Sequence, residues 1–264
     1  MVKVLDIPFF DKDLEAAVNL VLQVCKESAE NSSDNVANAL FPNHCISASG
    51  AHGLVEAHKD PNFKKILQEY WMNLPDGMPI VWIGKWKSAK NIARCYGPDF
   101  FKQIMIASAN LPIKHFFCGG HEGVADQLKL AVQKKFGNHN VSGTFCPPFR
   151  PMTVSEMKAL GNAITESRAD IVWVAIGCPK QEKLAFELTK YIHTKFIIAV
   201  GAAFDFHTDR VKQAPSWVQQ MGMEWLFRLL MEPRRLFKRY VIVIPLFIWL
   251  NLKELVVKRL IKII

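Results

Sequence analysis

The chain has 264 residues, of which 50% are hydrophobic and 22% charged, so it can bury a full core and wholesale disorder is excluded. Its net charge of +9 is unevenly distributed, because residues 210–264 carry eleven Lys/Arg against three acidic residues. This asymmetry predicts an anionic partner near the C-terminal end. A membrane surface, a nucleic acid or a phosphorylated substrate would each satisfy it.

The first predicted elements already alternate in type. Apolar residues recur at helical spacing between residues 11 and 30, ahead of the polar stretch NSSDN at 31–35. Further along, IKHFFCGG (113–120) is typical of a buried strand that ends in a glycine turn, and GVADQLKLAVQKKFG (123–137) of a helix that stops near Gly137. VSGTFC (141–146) predicts a second short strand.

The alternation continues through the next sixty residues. Thr153 and Glu156 have the spacing of a capping box, which predicts a helix start. DIVWVAIG (170–177) predicts a third strand, with Pro179 as the first residue of the helix that follows it. KFIIAVGAAFDF (195–206) predicts a fourth strand. This repetition of strand, turn and helix predicts the α/β class with a largely parallel sheet.

Ligands of such sheets bind beyond the carboxyl ends of the strands, so the strand exits are the candidate site. CGGHEG (118–123) offers backbone N–H groups to a phosphate or a nucleotide, and a tight structural turn is the alternative. PKQE places Gln181 and Glu182 in the first turn of a helix, where Glu182 could instead complement the helix dipole. In NLPDGMPIVW, Asp76 precedes a glycine and a β-rich run, and a turn aspartate is the simpler local interpretation.

No metal ion is predicted. The eight histidines form no HExxH-like motif, and the Asp-x-Asp at 11–13 fits a helix cap better than a metal site. The six cysteines are far apart without a CxxC motif, which is typical of reduced thiols in a cytosolic protein. The N-terminus shows no apolar segment of a secretory signal, so cytosolic residence is expected.

The C-terminal segment combines cationic and apolar residues. Pro233 predicts that a helix over 215–232 ends and a second helix begins there. The uncharged run 240–252 is too short to span a bilayer, which needs about 20 residues. An apolar stripe with interspersed basic residues then predicts an interfacial helix on anionic lipid, and an ordinary core-packing or dimerising helix is the alternative. Nucleic-acid binding is not expected, because no recognised binding motif is present. The stripe consists of Leu252, Leu255, Val256, Leu260 and Ile263.

Several segments together resemble the WecG/TagA/CpsF family of bacterial glycosyltransferases (glycosyltransferase family 26). The resemblance runs from about Ser47 to Tyr240. Its most specific parts, in chain order, are LPDGMPIVW, YGPDFF, FFCGGHEGVADQL, VAIGCPKQE, VGAAFDF and VKQAPSWVQQMGMEWLFRLLMEPRRLFKRY.

The resemblance implies a Rossmann-like core, assigned to residues 1–213, and a helical, membrane-associating C-terminal appendage, assigned to 214–264. It implies an inverting, metal-independent transfer of a sugar from a nucleotide-sugar, usually UDP-linked, to a polyprenyl-diphosphate-linked saccharide, with no cofactor. Such enzymes act peripherally at the cytoplasmic face of the bacterial inner membrane in cell-surface or exopolysaccharide biosynthesis. The anionic membrane surface would be met through residues 240–264.

The same resemblance assigns roles to residues. Asp76 matches the proposed general base, which would take the proton of the acceptor hydroxyl. Cations match groups that meet the diphosphate, where arginine can supply positive charge in place of a metal. The implied substrate-binding residues are Ser47, Ser49, Gly119, Gly120, Gln181, Glu182, Asp205, Arg228, Arg234, Arg235, Lys238 and Arg239.

The chain departs from the family pattern at three places. Ser47-Ala48-Ser49 stands where relatives often have Thr-x-Asn, Asp209 precedes VKQAP where a glycine is common, and Lys238 replaces an arginine. The reaction class is unaffected, but the donor sugar is left unspecified. A catalytically inactive membrane adaptor of a polysaccharide assembly complex is the alternative function, and a homo-oligomer remains open.

Overall fold

The structure, a computed structural model, describes residues 1–30 and 43–261. The predicted polar stretch at 31–35 and the stripe residue Ile263 lie outside these residues. The strands are β1 (Val2–Val4), β2 (Ile7–Phe9), β3 (His44–Ser49), β4 (Met72–Pro75), β5 (His115–Gly119), β6 (Val141–Phe145), β7 (Ile171–Ala175) and β8 (Phe196–Ala199). The helices are α1 (Leu14–Glu30), α2 (Ala51–Lys59), α3 (Pro61–Glu69), α4 (Met78–Trp86), α5 (Gly97–Ala107), α6 (Val124–Phe136), α7 (Val154–Ser167), α8 (Lys180–Leu188), α9 (Ala203–His207), α10 (Ser216–Gln220), α11 (Glu224–Met231) and α12 (Pro233–Ile261).

The core is a six-stranded sheet in the order β4-β3-β8-β7-β5-β6, and every neighbouring pair is parallel. The predicted α/β class with a parallel sheet is therefore confirmed. The central strands are buried along their whole length, as expected of strands covered by helices on both faces. Phe117, Trp173 and Phe196 pack between the sheet and its helices. β1 and β2 form a separate antiparallel hairpin that pairs Val2 with Phe9.

Local capping chemistry places several helix ends where the sequence predicts them. The capping box of Thr153 and Glu156 is confirmed, with each side chain bonded to the other residue's backbone N–H ahead of α7. Gly137 ends α6 in the left-handed conformation with φ of +66°. These ends depend on contacts within four residues, so the sequence pattern suffices to predict them.

Three local predictions are wrong. The β-rich run after Asp76 forms α4, because Pro79 lies in its first turn and Ile80 and Val81 pack into a cluster with β1 and β2. The predicted strand 195–206 ends at Ala199, since Gly201 turns the chain with φ of +59° and α9 follows. Pro179 caps α8 rather than opening it, after a cis peptide bond with Cys178.

The C-terminal segment contains three helices rather than two. The predicted helix 215–232 is divided into α10 and α11 at Gly222, whose φ is +72°. The predicted start at Pro233 is confirmed, and α12 continues as one helix through Pro245. Across the described residues we find no helix whose length and apolar character suit a bilayer span.

α12 has two apolar faces. The inner face packs against α2 and the cluster that includes β1, β2 and α4. Glu254 anchors the far part of the helix, because its Oε2 lies 2.5 Å from Lys87 Nζ. The outer face leaves large apolar side chains exposed, a pattern that soluble surfaces normally limit. The inner face carries Leu236, Val243, Phe247 and Leu250, and the outer face Phe237, Val241, Ile248, Trp249, Leu252 and Val256.

Candidate active site

A pocket of about 830 Å³ follows the carboxyl edge of the sheet. β4 and β6 are the two edge strands of the sheet, and the pocket lining runs from the exit of β4 to the exit of β6. Each of the six strand exits contributes to it, in agreement with the expected position of ligands in parallel sheets. In sheet order these contributions are Asp76, Gly50, Gly201, Gly177, Gly120 and Pro147.

Asp76 lies at the β4 end of the pocket, directly after the strand. Its Oδ1 accepts a hydrogen bond of 2.7 Å from the backbone N–H of Gly97, the first residue of α5. A β-carbon at Gly97 would lie 3.0 Å from the Ala48 side chain and from the Val200 carbonyl oxygen, so glycine permits this close approach. One carboxylate oxygen is thereby fixed by the protein.

The pKa of Asp76 is raised to about 6. Burial is the largest cause, and the charge of Arg94 and the Gly97 hydrogen bond oppose it. A carboxylate with a pKa near neutrality is ionised at pH 7 yet holds a proton more strongly than an ordinary aspartate. This matches what a general base requires.

Arg94 connects Asp76 to the C-terminal helices. Its Nε donates a 2.8 Å hydrogen bond to the backbone carbonyl of Asp76, and its Nη2 forms a short ion pair with Glu224 Oε2 on α11. Its guanidinium also stacks 4.1 Å from the ring centre of Tyr96. The position of α11 and the position of Asp76 are therefore coupled through one partly buried cation.

A buried polar chain lies behind the centre of the pocket. Ser49 Oγ and Ser47 Oγ are 2.8 Å apart, and Ser47 Oγ donates to Glu182 Oε1 at 3.1 Å. Gln181 Nε2 donates to the same oxygen at 2.9 Å. Burial raises the pKa of Glu182, while these hydrogen bonds oppose the rise. Ser47 and Glu182 have no exposed surface, so the structure places both behind the pocket lining.

Gln181 joins two strand exits. Its Oε1 accepts from the backbone N–H of Gly177 after β7, at 3.2 Å, and of Gly201 after β8, at 3.1 Å. The side chain is only 1% exposed, and both ends of its amide are bonded to the protein. This arrangement fixes the two loops relative to each other in the floor of the pocket.

The two glycines after β5 differ in position. At Gly119 a β-carbon would lie 2.4 Å from the Ala175 carbonyl oxygen, so this residue serves the close approach of β5 and β7. Gly120 lines the pocket and has a φ of +75°. Its N–H donates to the Ala175 carbonyl oxygen at 2.9 Å and is already used within the protein.

The structure separates the C-terminal cations into two groups. Arg228, Arg235 and Arg239 line the pocket, and Asp205 lines it from α9. Among the residues that the structure describes, none accepts a hydrogen bond from the buried Arg228 Nε, and the guanidinium lies 5.7 Å from the ring centre of Phe206. Arg234 and Lys238 are exposed and are not part of the pocket lining. Of the five cations that the family resemblance assigns to the site, three therefore line the pocket.

The opposite end of the pocket combines apolar and charged side chains. The loop after β6 contributes Pro147 and Phe149, and Met157 and Leu184 come from α7 and α8. Phe149 is 79% exposed, and its ring centre lies 5.2 Å from that of His121. This end therefore offers flat apolar surfaces beside charged groups such as Arg150 and Lys183.

Sequence reasoning missed several residues around Asp76. Tyr96 and Gly97 belong to YGPDFF, so the family segment itself carried a signal for them. Arg94 and Glu224 are 130 positions apart, and no local pattern could pair them. His52, which lines the pocket from the first turn of α2, had no signal either. Within residues 1–30 and 43–261, no group of three His, Cys, Asp or Glu side chains could hold a metal ion.

Comparison with known proteins adds to this geometry. Residues 2–260 match the profile of the family described as "Glycosyl transferase WecG/TagA/CpsF family". Among characterised proteins, the chain is similar to the N-acetylglucosaminyldiphosphoundecaprenol N-acetyl-beta-D-mannosaminyltransferase of Bacillus subtilis (strain 168). The two are 27% identical over 198 residues, which cover 75% of each chain.

Proposed function

The chain belongs to the WecG/TagA/CpsF family of glycosyltransferases, and on that premise we propose that it transfers a sugar from a UDP-sugar to a polyprenyl-diphosphate-linked saccharide with inversion. The acceptor class follows that named for the Bacillus relative, which acts on N-acetylglucosaminyldiphosphoundecaprenol. N-acetylmannosamine, which the same name specifies, is the first donor sugar to test.

The observation that carries this proposal is the position of Asp76 in one pocket with Arg228, Arg235 and Arg239. The acceptor hydroxyl gives its proton to the Asp76 carboxylate while its oxygen attacks the anomeric carbon. The bond from that carbon to the donor diphosphate breaks, and the arginines stabilise the negative charge on the departing phosphate oxygen. Guanidinium groups suit this role because they bind phosphate in a bidentate manner.

Metal independence is proposed on the same ground. Developing charge on a diphosphate can be stabilised by a divalent cation or by fixed guanidinium groups in a water-poor site. Arg228 supports the second solution, since it lines the pocket and its Nε has no acceptor within the described part of the chain. A phosphate bound beside the guanidinium would supply its counter-charge.

The chemistry of the pocket also suggests how the donor lies. Phosphates favour the Asp76 end, where the arginines line the pocket, and a nucleobase favours the end with Phe149 and His121. Aromatic rings bind nucleobases by stacking, which contributes about 1–3 kcal/mol for each base. The donor would therefore follow the carboxyl edge of the sheet, with its uracil near the exit of β6.

A peripheral position at the cytoplasmic face of the bacterial membrane completes the proposal, in cell-surface polysaccharide assembly. The outer face of α12 supports it, because Trp249, Leu252 and Val256 are exposed beside the basic residue Lys253. A helix with exposed apolar and basic residues is suited to the interface of an anionic membrane.

The test is a transfer assay on the full chain with a panel of UDP-sugars and a short-chain polyprenyl-diphosphate N-acetylglucosamine. Mass spectrometry detects the lengthened lipid, and NMR of the product defines the anomeric configuration. We expect turnover in excess chelator, without added metal. If no donor supports transfer while the chain still binds phosphatidylglycerol vesicles, the adaptor function is favoured. Retention of configuration would refute the inverting mechanism.

A further inference from the structure

A second cavity lies on the other side of the arginines. It measures about 310 Å³ and separates α2 from the first turns of α12, so we call it the α2–α12 cleft. Its charged lining includes residues that lie outside the main pocket, Lys59 on α2 and Lys238 on α12. The titratable lining residues are His52, Glu56, Lys59, Arg235, Lys238 and Arg239.

The cleft carries more positive charge than its own carboxylates neutralise. Glu56 is the one acid of the lining and pairs with Lys59 at 3.1 Å. Outside the lining, Glu232 pairs with Arg235 Nε at 2.6 Å. Lys238 and Arg239 form no ion pair with any residue in the described part of the chain. An anion bound in the cleft would meet at least these two cations.

The imidazole of His52 lies among these charges. Its pKa is lowered to about 4, first by burial and then by the charge of Arg239; the charge of Glu56 opposes the shift, and that of Lys59 adds the smallest contribution to it. A neutral imidazole can donate one hydrogen bond to a phosphate oxygen without adding charge.

The cleft and the main pocket share a wall. His52, Arg235 and Arg239 line both cavities. An anion in the cleft would therefore lie next to the space that Asp76 borders. The two cavities are therefore close enough to hold the donor and the acceptor of one reaction.

The proposed reaction needs two separate anion sites. The donor diphosphate is attached to the anomeric carbon that is attacked, so it belongs beside the reaction centre. The acceptor carries its own diphosphate on the far side of the sugar whose hydroxyl attacks. One sugar ring thus separates the two diphosphates, and like charges so close require separate cationic partners.

Resting on the proposed function, we propose that the α2–α12 cleft binds the diphosphate of the lipid-linked acceptor, with Lys59 and Lys238 as its own cationic partners and Arg239 in the wall that it shares with the main pocket. Arg228, which lines only the main pocket, then serves the departing diphosphate of the donor. Lys238, which the family pattern aligns with cations of the active site, is reassigned by its position to the acceptor.

The test is the double variant Lys59→Gln/Lys238→Gln in the full chain, with Lys134→Gln on α6 as a matched control. Both altered lysines lie outside the main pocket. We expect the KM for the short-chain acceptor to rise about tenfold or more, which corresponds to about 1.4 kcal/mol. The Kd for UDP should stay within about twofold, and the control should match the wild type in both measurements.

A binding experiment tests the inference even if no donor sugar is found. Calorimetry with the short-chain acceptor alone should show the same loss of affinity in the double variant, without turnover. Unchanged acceptor affinity would overturn the inference, and so would an equal loss of UDP affinity. A variant that loses affinity for phosphatidylglycerol vesicles but binds the soluble acceptor normally would identify a lipid-headgroup site instead. An unfolded variant is recognised by circular dichroism, and Lys238→Gln alone then replaces it.

Discussion

The sheet edge and the C-terminal helices contribute to the same pocket in opposite ways. At the sheet edge, Gln181 and Glu182 are almost completely buried and bonded to other protein groups. On the helices, Arg235 and Arg239 are exposed, and Arg239 forms no ion pair among the residues described. The sheet edge is thus organised by hydrogen bonds within the protein, whereas Arg239 has no counter-charge among the described residues and is available to an anionic ligand.

This difference predicts how substitutions should act. Removing a satisfied buried group leaves its partners without hydrogen bonds and lowers the free energy of unfolding. Removing an exposed cation changes folding little, because exposed ion pairs contribute only about 0–1 kcal/mol. Activity and stability should therefore respond separately in the two regions.

The largest expected effect is that of Asp76→Asn. Asparagine can still accept the Gly97 hydrogen bond, but it cannot take a proton, so kcat should fall by roughly 10²- to 10⁴-fold. Stability at pH 7 should hold or increase, because burial makes the ionised carboxylate unfavourable in the folded state. Steady-state kinetics and thermal unfolding test the two statements, and an unchanged kcat would remove Asp76 as the base.

The second largest effect is expected at Arg228, a cation whose side chain is partly buried. Arg228→Gln should lower kcat by roughly 10²-fold through loss of charge at the departing diphosphate. The unfolding temperature should not fall, because the buried Nε has no acceptor to lose among residues 1–30 and 43–261. A marked loss of stability with normal kcat would show that Arg228 stabilises the fold, as the buried residues of the sheet edge do. The proposed difference between the two regions would then be wrong for this residue.

Gln181→Leu tests the sheet edge itself. The N–H groups of Gly177 and Gly201 lose their acceptor, so the free energy of unfolding should fall by about 2 kcal/mol or more. Gln127→Leu, at an exposed position of α6, is the matched control and should change it by less than about 0.5 kcal/mol. Equal unfolding midpoints in urea for both variants would contradict the proposed role of the amide.

The pH dependence separates activity from stability. Because the pKa of Asp76 is about 6, kcat/KM should fall about tenfold for each pH unit below that value as the base becomes protonated. The raised folded-state pKa has the opposite consequence for folding. Between pH 6 and the ordinary value of 3.8, the contribution of Asp76 to stability increases as the pH falls. A flat kcat/KM profile between pH 5 and pH 7 would be inconsistent with Asp76 as the base.

The smallest effect concerns the outer face of α12. Trp249→Ala should weaken binding to phosphatidylglycerol vesicles roughly fivefold, an effect of about 1 kcal/mol. Its unfolding temperature should match the wild type, because the side chain is 53% exposed. Leu130→Ala, which alters an exposed apolar residue of α6, is the control for non-specific adhesion. Cosedimentation that gives the same affinity for all three proteins would place the membrane contact elsewhere.

The sequence predicted those features that depend on neighbouring residues. The α/β class, the capping box at Thr153 and the helix end at Gly137 all follow from short-range patterns. The sequence pattern did not predict α4, because its β-branched residues favour a strand. The helix is instead stabilised by packing against the N-terminal hairpin, which lies far away in sequence.

The site shows the same division. Family segments led to Asp76 and to Gln181 with Glu182, but they could not reveal that Gln181 is fully engaged within the protein. The separation of Lys238 from the main pocket depends on which face of α12 meets α2. That face is decided by packing along the whole helix, which a local pattern does not contain.

The ion pair between Arg94 and Glu224 crosses the predicted boundary at residue 213. Cutting the chain there would remove a buried carboxylate together with the arginines. The Arg94 guanidinium would keep its hydrogen bond to the Asp76 backbone and lose its main counter-charge. Its positive charge would then act on the Asp76 carboxylate alone and make it a weaker base. On the proposed function we therefore expect a shortened protein to lose activity for two superimposed reasons, and single substitutions are needed to assign the loss to one of them.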